Sequence, residues 1–340
     1  MATRAWMRVL RVTLTMSSAA DNGKLKQIVI GANEENGLTR EGMSINGTTY
    51  NYQSSDLTIS VSGDKYMSPL KDNVTIKISN LTYAQIVQII AGQYYNLKVE
   101  CGYRSGTVFT IFDGGVMYIS NLREAVETNT VTILGASKLV AKWGQKRLNL
   151  SFNSGVNMYS AIKFICRVGG IPNYTISTQY KKKMLAEILN VEYENAASAL
   201  DKMTDESGSM ITNSDCVGES FFMTFDAAKS NCRIIKLRED NIVLTGGFPK
   251  MTSQGITLSM MPTFQFQCGD TICIDNALIQ IDVQSQSDAT KNFGALLDEN
   301  GQYMIFEQHF ELQNRGNNFF VELDCKTRSR IANLIGDNKS

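Results

Sequence analysis

The chain has 340 residues, with 33 Lys and Arg against 33 Asp and Glu, and is 43% apolar and 19% charged. That is enough for two or three domains with a substantial core, and it excludes a disordered polyelectrolyte. No run approaches eighteen consecutive apolar residues, so no helical membrane span is expected.

Only four prolines, with Thr, Val, Ile, Tyr and Phe in short alternating runs, predict a β-rich architecture with a few helices. The N-terminus is arginine-rich and free of acids before Asp21, as organellar transit peptides are. Met7–Met16 is nevertheless rich in Val, Leu and Thr and reads as a first strand, with Gly23 in the turn that follows. The arginines also break up any secretory apolar core, so the protein is expected to stay in the compartment where it is made.

Further strands are predicted at Leu25–Gly31, in a hairpin Gly42–Tyr52 turning at Asn46-Gly47, at Leu57–Ser62 and at Asn73–Ser79. Asn80–Ser120 is the stretch around which this region is organised. Thr82 can cap a short helix with Gln85 answering three residues on, Gly92 marks its stop, and Tyr83, Ile86, Val87 and Ile90 share the face expected to lie on a sheet. Leu97–Tyr103 and Thr107–Phe112 read as a strand pair turning at Arg104-Ser105-Gly106. Asp113-Gly114-Gly115 predicts a bulge that bends the sheet before Val116–Ser120, and Asn129–Gly135 closes a first barrel- or sandwich-like unit over residues 1–143.

Residues 144–244 change style. A strand Arg147–Phe152, a helix Asn157–Val168 stopped by Gly169-Gly170, a strand Asn173–Ser177 and a helix Tyr193–Thr204 make a small α+β insert, followed by hairpin-like pieces Ser220–Asp226 and Cys232–Leu237. From Thr245 the period returns to two. Gly255–Met261, Thr263–Gln267, Thr271–Asp275, Ala277–Val283, Tyr303–Leu312 and Asn318–Lys326 read as strands of a second β unit over 245–330, with the longest loop at Gln284–Gly301 and a C-terminal tail over 331–340. Between 245 and 324, Lys250, Lys291 and Arg315 stand against ten carboxylates, a net −7 that the neutral total conceals.

Seven cysteines without metal spacing read as small apolar residues in a reducing environment. Cys268 and Cys273 are the only close pair, and a hairpin turning at Gly269-Asp270 would set Cys268 opposite Thr271, so no disulfide is expected there. Any histidine-dependent triad must use His309, the only histidine. Strand alternation places it with Tyr303, Ile305, Glu307 and Glu311, and Met304, Phe306, Phe310 and Leu312 opposite, which reads as a partly solvated polar face. No GxSxG, GxxxxGK[ST], GxGxxG or HExxH motif is present. Glu187, Glu192, Glu194 and Asp201 are indistinguishable from the solvated side of a helix, and Lys181-Lys182-Lys183 reads as a solvated loop without interleaved aromatics. The reading is of no enzyme, with no catalytic, cofactor-binding or metal residues.

Three stretches together resemble the baseplate hub proteins of contractile-tailed bacteriophages: RAWMRVLRVTLTM, then NLTYAQIVQIIAGQYYNLKVECGYRSGTVFTIFDGGVMYIS, then the closing TNTVTILGAS. RLNLSFNSG with its helix and Gly-Gly is similar to the insert of those hubs. GGFPKMTSQGITLSMMPTFQFQCGDTICIDN and GQYMIFEQHFELQNRGNNFFVELDCK resemble their second barrel. The resemblance implies two tail-tube-like β domains joined by the α+β region. It also implies a homotrimeric ring of six barrels in the virion tail, assembled in the bacterial host cytoplasm. Such a ring joins the tail tube to the central spike and lines the DNA channel. Implied partners are the spike protein, the tube or its initiator, the tape-measure protein and wedge or sheath-initiator proteins, with no membrane and no sequence-specific nucleic acid. In that setting the acidic last third is expected to repel DNA from the channel wall. The alternatives are a tail-associated cell-wall or polysaccharide hydrolase, needing two converging carboxylates, and a β-rich host-binding adhesin.

Overall fold

The computed structural model describes residues 8–17, 25–35, 38–46, 48–50, 57–68, 71–94, 96–104, 106–123, 129–141, 146–171, 174–176, 178–207, 210–213, 221–224, 233–237, 247–252, 254–281 and 297–327. The first region holds β1 (Arg8–Ser17), β2 (Leu25–Glu35), β3 (Leu38–Ile45), β4 (Thr48–Tyr50), β5 (Thr58–Tyr66) and β6 (Asn73–Ser79). It continues with helix α1 (Tyr83–Ile90), β7 (Asn96–Tyr103), β8 (Val108–Arg123), β9 (Asn129–Ser137) and the short α2 (Lys138–Ala141). The middle adds β10 (Arg147–Phe152), α3 (Met158–Gly169), β11 (Tyr174–Ile176), β12 (Leu189–Asn195), α4 (Ala196–Ser207), β13 (Met210–Asn213), β14 (Phe221–Thr224) and β15 (Ile234–Lys236). The last region holds β16 (Lys250–Met251), β17 (Gly255–Met260), β18 (Thr271–Cys273), β19 (Gln302–Gln313) and β20 (Phe319–Thr327). The protein is mainly β with an α+β segment between two β-rich regions, as its sequence pattern leads one to expect. Among the described residues no helix is long and apolar enough to cross a membrane.

The two β-rich regions share one 15-stranded sheet in the order β16-β17-β20-β19-β5-β6-β9-β8-β7-β1-β2-β3-β4, with β18 joining β19 and β15. The seam between them is β5 against β19, antiparallel from Ser60 opposite Gln313 to Tyr66 opposite Glu307. Asn314 closes one end of it, accepting from the Ile59 N–H at 2.8 Å and donating to the Leu57 carbonyl at 2.9 Å. Period-two alternation sends Ile59 and Val61 of β5, Val74, Ile76 and Ile78 of β6, and Phe310 and Leu312 of β19 into a single apolar cluster that runs from Leu10 to Cys325. The insert keeps its own core of Leu148, Ile162, Ile165, Tyr180, Leu200 and Met203.

β8 is one unbroken strand rather than two pieces around a bulge. It changes partner at Gly114, which pairs with Leu97 of β7 on one side and Ser137 of β9 on the other. A Cβ there would stand 2.2 Å from the Ala136 carbonyl oxygen, so the crossing requires glycine. The register irregularities fall beside it instead, at Val99/Glu100 and Val116/Tyr118.

α1 forms where expected, with Gln85 Oε1 accepting from the Thr82 N–H at 2.6 Å, but its buried face is rotated. Ile86 and Ile89 pack into the core beside Leu81, while Tyr83, Val87 and Ile90 face outward, Tyr83 being 77% exposed. An eight-residue helix whose entry is pinned by a buried Leu81 has its phase set by that anchor, not by the widest apolar arc.

Other expectations shift as well. Thr263–Gln267 is not a strand, and at Ala277 a 3₁₀ turn (Asn276–Leu278) replaces the predicted strand, capped by Asp275 Oδ1 accepting from the Ala277 N–H at 2.9 Å. Leu189–Asn195 is a strand and α4 begins only at Ala196, because Asn195 Oδ1 accepts from the Ser198 N–H at 2.7 Å as an N-cap. The pieces read as hairpin-like separate: β14 pairs with β11 and β13, and β15 lies parallel to β18. Most of the 284–301 loop and the whole 331–340 tail lie outside the described residues.

Candidate functional site

The polar side of the β5–β19–β20 seam gathers charged side chains from three strands. A register shift between Ile305 and Glu307 reverses the phase of β19. Tyr303 and Ile305, expected on the histidine's face, turn into the core with Phe310 and Leu312, while Glu307, His309 and Glu311 point to solvent. The pairing sets His309 opposite Asp64 on β5 and Glu322 on β20, and Glu307 opposite Tyr66 and Asp324. Five carboxylates, Asp64, Glu307, Glu311, Glu322 and Asp324, therefore share one face, drawn from both ends of the chain.

His309 Nδ1 lies 2.7 Å from Asp64 Oδ1, and its Nε2 lies 3.6 Å from Glu311 Oε1. Partial burial works to lower its pKa, but the hydrogen bond and charge of Asp64, followed by those of Glu311, outweigh it and hold the pKa above 6.5. Each ring nitrogen faces a carboxylate, so the histidine bridges acids rather than activating a hydroxyl or thiol. Among the described residues no group of three or more His, Cys, Asp or Glu side chains is arranged to hold a metal ion.

The remaining candidates disperse. Glu187 and Glu192 are exposed, Glu194 pairs with Lys202 on α4, and Asp201 is exposed on α4. Cys101, Cys166, Cys268, Cys273 and Cys325 are free thiols, and burial pushes Cys166 up to about 12. A 450 Å³ hollow outside β1, β2, β3 and β7 holds one carboxylate, Glu100, which takes Lys98 at 2.7 Å and Arg11 at 3.5 Å.

Two features escaped the sequence reading. Asp270, in the Gly-Asp turn, is 2% exposed and accepts from the Gln267 N–H at 3.0 Å and Arg233 Nε at 3.2 Å, which ties β15 to the turn before β18. Nothing local announces an arginine that arrives from 37 residues away. The Lys181–Lys183 run is exposed, in keeping with its solvated reading, but Lys181 Nζ sits 5.2 Å from the centre of the Tyr159 ring, so an aromatic partner is supplied by α3 rather than by the run itself.

The fold is shared with a type VI secretion component and a chain of a PdpA–VgrG complex. A chain of the Francisella PdpA–VgrG complex superposes with a TM-score of 0.55 at 8% identity, over 96% of this chain and 59% of its own length. The E. coli c3393 protein is described as a component of the type VI secretion system with structural similarity to the T4 tail proteins gp27 and gp5. It superposes at 0.51 and 10% identity, over 82% of this chain and 76% of its own. The 43 kDa tail protein of prophage MuSo2 from Shewanella oneidensis gives 0.49 at 9% identity, over 89% and 97%. No protein-family model matches the sequence. No curated protein matches it either.

Proposed function

We propose that this chain is a structural subunit of a contractile-tail baseplate hub, with no bond chemistry of its own. In this reading residues 1–143 and 245–330 act as two tube-like β domains, bridged by 144–244, and three copies form a pseudo-sixfold ring in the virion tail. The ring joins the tail tube to the central spike and surrounds the DNA channel, contacting tube, spike, tape-measure and wedge or sheath-initiator proteins. The observation that carries the reading is the shared fold with the Francisella and E. coli proteins over 96% and 82% of the chain. The sheet lends support: among the described residues its path ends on one side at β4, a strand of three residues, where pairing with a neighbour could continue it.

Light scattering on the full-length protein, alone and mixed with a spike protein, tests this. The expected mass is three times that of the 37.7 kDa chain, with a ring and central hole in electron micrographs and a complex with the spike. A monomer at every concentration, with or without spike, would sink the reading. Release of sugars or peptides from cell walls would favour the hydrolase instead.

A further inference from the structure

From residue 128 to residue 186 the chain contains nine Lys and Arg and no carboxylate at all. In the structure Lys163, Arg167 and Lys181 to Lys183 are all exposed, and three of these cations line one side of α3. Lys163 and Arg167 are exposed on α3 four residues apart, in line with Tyr159, over whose ring Lys181 Nζ sits at 5.2 Å. The three lysines are pinned at the start of that helix: Asn157 Nδ2 donates to the Lys181 carbonyl at 2.8 Å, and the Met158 N–H to the Lys183 carbonyl at 3.0 Å. This is the wrong end for cations, since the N-terminus of a helix carries partial positive charge, and three adjacent lysines repel one another as well. Phe164 and Met184, both exposed, lie in sequence beside these cations.

The counterpart is on the same molecule. Asp64, Glu307, Glu311, Glu322 and Asp324 set five carboxylates on the outer side of the seam, with the half-buried Phe320 and Tyr66 among them. A basic face and a mainly acidic face, the latter relieved only by His309 and Lys326, each carrying apolar groups, suit a head-to-tail contact between identical chains. We propose that the basic face of the insert in one protomer docks on the acidic seam face of its partner. The contact rests on the ring reading above and names the surface that builds it. It assigns the acidic face to the subunit boundary rather than to the channel wall. Across a water-filled channel, wall charges are screened beyond about 8 Å at physiological salt, whereas opposite charges in contact keep most of their attraction.

The test is a charge exchange in full-length protein, read by sedimentation at low and high salt. The triple variant Lys181→Glu, Lys182→Glu, Lys183→Glu and the triple variant Glu307→Lys, Glu311→Lys, Glu322→Lys are each expected to weaken self-association about tenfold or more. Combining all six restores it, because the charges are exchanged rather than removed. Lys181→Ala, Lys182→Ala, Lys183→Ala gives an intermediate loss and a smaller salt dependence, and it remains usable if a reversed variant fails to fold. Self-association unchanged in the alanine and reversed insert variants overturns the docking while leaving the ring intact. A six-fold variant that is folded by circular dichroism but stays dissociated overturns it too. A wild-type chain that never associates overturns the ring and the docking together.

Discussion

The large sheet and the insert are built on opposite principles. The sheet takes its core from both ends of the chain, with β5 meeting β19 across the seam, so that no local segment can bury its apolar face alone. The insert packs Leu148 to Met203 from one continuous stretch into a separate cluster. A core assembled from distant segments is cooperative and resists piecemeal change, whereas a local one can open or vary while its surroundings hold.

The largest expected effect is Phe310→Ala. This ring is fully buried at the seam against Gly63, so removing it costs about 3–5 kcal/mol. Denaturant melts should move to lower midpoint for the whole sheet, and a melt in which β1–β4 amides stay protected would contradict a shared core. Leu200→Ala in the insert costs about 2–5 kcal/mol by the same mechanism. Its hydrogen-exchange signature should be confined to α3, α4, β10 and β12, and loss of protection at β19 would erase the distinction between the two regions.

Asp270→Ala tests a link on the sheet side and should cost about 1–3 kcal/mol, since the Gln267 N–H and Arg233 lose their acceptor. Exchange should speed up at β15 and β18 before β5; equal acceleration everywhere would mean the tie is not local. His309 gives the smallest effect. Its raised pKa means the protonated form binds the carboxylates better in the folded chain. The stabilisation is therefore complete below about pH 6.5 and fades as pH rises through the folded value. His309→Gln should flatten that part of the stability–pH curve, and an unchanged curve would show that the bridge to Asp64 carries no weight.

Element existence was legible where the pattern was long and strongly periodic. Asn73–Ser79 and the helix that ends at Gly169-Gly170 sit where alternation and the glycine stop put them. The acidic character of the last third was legible as well. Its arrangement was not, because a single register shift between Ile305 and Glu307 decides which side His309 shares, and no residue type marks it. The same limit explains α1, whose outward Tyr83, Val87 and Ile90 are as apolar as the inward Ile86 and Ile89.

By itself the amino-acid order determined a β-rich chain with a mixed segment in the middle, its caps and turns, and a tail-protein resemblance that the fold bears out. Those are consequences of period, propensity and short-range hydrogen bonds. Only the tertiary structure decided that the two β-rich regions run on as one sheet, that Asp64 reaches His309 from the far end of the chain, and that Tyr159 lies under Lys181. Those depend on which distant strands and helices pack together. That choice is made by the summed burial of the whole core, which no local window contains.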